Sequence, residues 1–62
     1  MTPAEVVANK DNMTKNELWE YVLLFPVQHP EDGDDPTWFI EKYGDDYNAQ
    51  ARAISKAWRN AS

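Results

Sequence analysis

Residues 38–58 read WFIEKYGDDYNAQARAISKAW, and the fold turns on how that string is punctuated. Gly44 is suited to ending a helix, because a residue without Cβ enters the left-handed region at little steric cost. Asp45 or Asp46 can then cap a second helix. Beyond the cap, Tyr47, Ala51, Ile54 and Trp58 recur at i, i+4, i+7 and i+11. At about 100° per residue these four fall within roughly 60° of one another. Arg52, Lys56 and Arg59 form a second stripe, nearly opposite. The string therefore predicts a helix, a glycine stop, an aspartate cap and a strongly amphipathic last helix at about 46–59.

Working back from this unit, Asp35-Pro36 restarts a helix, with Asp35 as cap and Pro36 in the first position. It runs over about 36–43 and crowds Trp38, Phe39, Ile40 and Tyr43 into two turns. The preceding stretch VQHPEDGDD has Pro30, Gly33 and four acids, and reads as a solvated loop. Before it, Thr14-Lys15-Asn16-Glu17 offers a cap with an acid three residues on. Leu18, Tyr21, Val22 and Phe25 then follow at i, i+3, i+4 and i+7, one helical face. Trp19 and Leu23 form a neighbouring stripe, so this helix is apolar over most of its circumference and is expected to be central. Pro26 stops it, giving a helix at about 15–25. Thr2-Pro3-Ala4-Glu5 repeats the capping device and predicts a short leading helix at about 3–9. That helix is too short to stand alone and must dock through Val6 and Val7 or fray.

The expectation is a single small all-α domain over 1–62: a compact bundle of three main helices plus the short leading one. Its predicted core is Leu18, Val22, Phe25, Phe39, Ile40, Tyr43, Tyr47, Ala51, Ile54 and Trp58. At 62 residues such a chain sits near the lower size limit for independent folding. It has no cysteine, so disulfides and thiolate metal sites are excluded. Dense aromatic packing or a partner must supply the remaining stability, and aromatics make up 13% of the residues. There is no basic start with a long apolar run, and no stretch approaches the ~18 apolar residues of a membrane span. A soluble, cytoplasmic protein that makes no membrane contact is expected.

Charge is unevenly placed. Net charge is −5, yet residues 31–46 carry seven acids and one base, while residues 47–62 carry three bases and no acid. Chemistry is hard to find in this pattern. The lone histidine, His29, lies between two prolines in the loop. An EF-hand alignment that puts Gly33 at position 6 places Gln28 at position 1, where an acid is required. Ser55 and Ser62 have no histidine near them in sequence, and Gly33 and Gly44 are isolated, so neither a nucleophile–base pair nor a phosphate loop is present. The chain is expected not to be an enzyme and to need no cofactor or metal.

Residues 39–54, FIEKYGDDYNAQARAI, resemble the first helix, turn and second helix of Myb/SANT-type modules. There an apolar helix ends in a KYG-like turn before a small-residue helix with an Ala-Arg pair. The run Lys42-Tyr43-Gly44-Asp45-Asp46-Tyr47, with Ala49 and Ala51-Arg52, is similar also to the C-terminal motif of the nucleolar protein sixteen family, which acts in large-subunit ribosome assembly. A Myb repeat continues into a third, recognition helix, whereas about four residues follow Trp58 here, and the nucleolar family has basic flanks where this chain is acidic. What the resemblance implies is a helical binding module.

Surplus aromatics sharpen that expectation. Adjacent residues on a helix differ by about 100°, so Trp38 and Phe39 cannot both face inward. Trp19 poses the same problem on its own helix. An outward Trp is a typical anchor of protein interfaces. The expected function is a small protein-interaction module, of the phage or accessory regulator or inhibitor kind, binding a partner protein or itself. Its partner-binding residues are Trp19, Trp38, Arg52, Lys56 and Arg59. The alternative is a helix-turn-helix-like nucleic-acid binder using Arg52, Lys56 and Arg59, which the net charge disfavours.

Overall fold

A computed structural model describes residues 1–27 and 37–61, and the side chains of residues 1–27 and 39–61. The expected cap at Asp35, the first-position Pro36, the loop around His29 and the side chain of Trp38 lie outside the described residues. The described chain is all-α. Helix α1 is Pro3–Asn9, a 3₁₀ turn covers Lys10–Asn12, α2 is Lys15–Leu24, α3 is Thr37–Tyr43 and α4 is Tyr47–Asn60. No helix among the described residues is long and apolar enough to cross a membrane.

Both predicted capping boxes form. In the first, the Thr2 backbone N–H donates to Glu5 Oε1 at 2.8 Å and the Glu5 N–H donates to Thr2 Oγ1 at 3.2 Å. In the second, the Thr14 N–H donates to Glu17 Oε1 at 2.9 Å and the Glu17 N–H donates to Thr14 Oγ1 at 3.2 Å. Each box satisfies donors that a helix start would otherwise leave unpaired. Gly44 has φ +99°, and its N–H closes α3 on the Ile40 carbonyl at 2.7 Å. Asp46 stands at the cap of α4, but its side chain makes no capping hydrogen bond. With φ −81° and ψ 0° it lacks the extended backbone that turns a cap side chain toward the first N–H groups. A backbone bond from the Tyr47 N–H to the Gly44 carbonyl, 3.1 Å, bridges the junction instead.

Helix α4 is the hub, since α1, α2 and α3 all pack on it. Its buried seam is Tyr47, Ala51 and Ile54, as the spacing predicts. Trp58, expected at the end of that seam, is only half-buried. The core also holds Val6 of α1 and Phe25, which follows α2. Val6 is fully buried, so the leading helix contributes to the core rather than merely covering it. A fully buried Val stabilises by about 1.5–3 kcal/mol, which fixes a seven-residue helix that could not persist alone.

Two expectations are corrected. Helix α2 is not central: Leu18 is its one fully buried residue, while Leu23 and Leu24 are 63% and 57% exposed. One neighbour, α4, cannot cover a helix that is apolar all round. Helix α3 lies where expected, but Phe39, Ile40 and Tyr43 of the predicted core are each only partly buried. Its aromatics are ordered by ring contacts instead. Phe39 stacks on Tyr47 with centroids 5.0 Å apart, and Phe25 meets Tyr43 edge-on at 5.5 Å.

Two measurements check this construction. A Cβ placed on Gly44 would meet nothing within 4 Å, so Gly44→Ala is penalised through the backbone alone. It should lower unfolding free energy by about 1–2 kcal/mol in urea titration, and Gly44→Asn by less. The second concerns acid. The Thr14 backbone N–H, and then its hydroxyl, hold the Glu17 carboxyl below its ordinary value of 4.5; Thr2 does the same for Glu5. A carboxyl lowered on folding stabilises fully above its unfolded value, and that contribution fades as pH falls through the folded one. Glu17→Gln should therefore be less stable than the wild type at pH 7, and the gap should narrow as pH falls below 4.5.

Candidate functional site

Helices α2 and α4 run antiparallel. Trp19, near the start of α2, packs on Trp58, near the end of α4, with centroids 4.8 Å apart and ring planes tilted by 35°. At the other end the Tyr47 hydroxyl donates to the Pro26 carbonyl at 2.5 Å. These two contacts clamp the pair at both ends. Between them lies an open groove of about 440 Å³, lined by Val22, Phe25, Pro26 and Val27 on one side and Ala51, Arg52, Ser55 and Arg59 on the other. Its floor is apolar and its α4 wall carries two guanidinium groups.

Of the predicted partner-binding residues, Arg52, Lys56 and Arg59 are all exposed on the outer half of α4. No carboxylate among the described residues forms an ion pair with any of them; the ion pair found there is Lys10 with Asp11 at 3.3 Å. The structure separates the three. Arg52 and Arg59 line the groove, while Lys56 does not. Trp19 is 42% exposed; its other face is covered by Trp58, whose ring also receives Lys15 Nζ at 5.4 Å. The Trp38 side chain lies outside the described residues.

Sequence reasoning placed Val22 in the core, where it packs, but did not foresee that it lines a groove with Pro26, Val27 and Ser55. The signal was present. Trp19, Val22, Leu23 and Pro26 are themselves spaced i, i+3, i+4 and i+7, a second apolar stripe beside the core-facing one. Val22 packs against the core and lines the groove, while Trp19 and Leu23 stand exposed beside it. Among the described residues no cluster of three or more potential ligands is arranged to hold a metal ion. Comparison with protein-family models, curated proteins and solved structures finds no match to this chain.

The geometry divides residues that hold the fold from residues that are free to bind. Replacing Arg52, Lys56 or Arg59 singly with Gln should change stability by no more than about 0.5 kcal/mol. Trp58→Ala, which removes the ring pair and the Lys15 contact, should cost roughly 2 kcal/mol, about half the loss for a fully buried Trp. Urea midpoints of the four variants test the division.

Proposed function

We propose that this chain is a small non-catalytic protein-interaction module, acting as a regulator or inhibitor of a partner protein. It binds through the apolar stripe of α2, centred on Trp19 and Leu23, and through the cations Arg52, Lys56 and Arg59 of α4. The observation that carries this reading is the exposure of Trp19 and Leu23 on adjacent turns, 42% and 63%. A chain this short has little apolar area with which to fold. Leaving a Trp and a Leu outward together withholds area from the core and offers it to a partner, and Trp is prominent among interface anchors. These cations, which pair with no carboxylate among the described residues, add charge selectivity, since opposite charge on a partner speeds encounter and sets orientation.

The test uses the whole chain as bait in an extract of its native cell, beside a Trp19→Ala/Leu23→Ser variant whose helix content is first matched by circular dichroism. The captured protein is identified, purified and titrated against both. Expected is a defined protein partner whose affinity falls at least tenfold with the variant. The reading fails if the variant binds it equally well. It fails also if the catch vanishes on nuclease treatment and weakens with salt at a log–log slope near −2.7, about 0.9 for each of three cations on phosphates.

A further inference from the structure

We propose that the groove between α2 and α4 seats an amphipathic helix of a partner protein that carries two carboxylates seven residues apart. The proposal rests on the interaction reading above and specifies the partner's chemistry. The partner's apolar ridge lies on Val22, Phe25, Pro26 and Val27, and its carboxylates meet Arg52 and Arg59.

Spacing selects the secondary structure of the occupant. Arg52 and Arg59 are separated by two helical turns of α4, about 10.5 Å along its axis. A helix lying alongside repeats its own face at that same interval, so acids at j and j+7 reach both guanidiniums. An extended strand does not fit. At about 3.3 Å per residue it needs three residues to span that distance, and an odd step turns the second side chain to the opposite face. The apolar floor asks for a ridge at i, i+3, i+4 and i+7, the usual signature of a helix held in a groove.

Charge selects the sign. Both arginines are exposed, and no carboxylate among the described residues pairs with either. Guanidinium forks bind carboxylates through two parallel hydrogen bonds, which fixes position as well as sign. Ser55 lies between them in the same wall and offers a further hydroxyl. The net charge of −5 does not forbid an acidic partner, because screening is local. Arg52 and Arg59 lie 6 and 13 residues beyond Asp46, about 9 and 20 Å along the helix, and the screening length at physiological salt is about 8 Å. Nucleic acid makes poorer use of this site, since its phosphates would leave the apolar floor unfilled.

The experiment is selection of a display library of randomised 16-residue peptides against the full chain, followed by calorimetry with the enriched peptides made synthetically. Expected are peptides with two acids seven apart beside an apolar i, i+3 or i+4, i+7 ridge. Their affinity should drop at least tenfold for the Arg52→Gln/Arg59→Gln double variant. It should change less than twofold for Lys10→Gln, which removes a cation outside the groove. Peptides with Lys in place of both acids should bind Arg52→Glu/Arg59→Glu and not the wild type. Circular dichroism of each variant confirms that it is folded. No enrichment, enrichment without the acid pair, or indifference to the double variant overturns the proposal. Peptides that instead lose binding with Trp19→Ala/Leu23→Ser overturn the groove while leaving the interaction reading intact. A 12-base-pair DNA duplex that displaces the peptides at equal concentration overturns both.

Discussion

Tyr47 is the residue on which this structure depends. It is fully buried, yet it stands at the first position of α4, directly after the turn that closes α3. Its ring is stacked by Phe39 at 5.0 Å and Tyr43 at 5.8 Å, and its hydroxyl finds the Pro26 carbonyl. One side chain thus ties the end of α2, the body of α3 and the start of α4. Phenylalanine could fill the same space but would leave the Pro26 carbonyl without this donor. The buried Tyr47 hydroxyl thus has the partner that a tyrosine inside a core requires.

From that anchor α4 extends past Ala51 and Ile54, and every other helix leans on it. The arrangement explains why α2, the most apolar helix, is not the most buried. Burial is set by how many elements share a face, and α2 has α4 as its main neighbour. Its surplus apolar residues cannot be hidden by adding order elsewhere. They become the floor of the groove and the stripe beside it, so the local architecture creates the candidate binding surface as a by-product of economy in the core.

Much of the fold was legible because the information was local. Thr2–Glu5 and Thr14–Glu17 are capping pairs whose partners sit three residues away, Gly44 declares its own backbone angle, and the α4 seam repeats over about three turns. The failures all involve choices that local pattern cannot make. Two apolar stripes on α2 compete for the core, and only the placement of α4 decides that Leu18 goes in while Leu23 stays out. The short leading helix could dock through Val6 and Val7 or fray, and long-range packing on α4 decides that Val6 docks. Asp46 matched the residue preference of a cap, and its backbone angles do not permit the capping bond. The cations Arg52, Lys56 and Arg59 were readable as a stripe; that two of them wall an apolar groove required knowing where Val22 and Val27 come to rest.

The packing of α1 on α4 has a consequence for how the chain folds. Val6 and Ile54 both belong to the core, yet 47 residues lie between them. Helix α1 therefore gains a docking face only once α4 has formed and come back to it. Bringing the two together costs loop-closure entropy before any contact rewards it. The capping boxes form between neighbours three residues apart, whereas this long-range contact sets the slower part of folding.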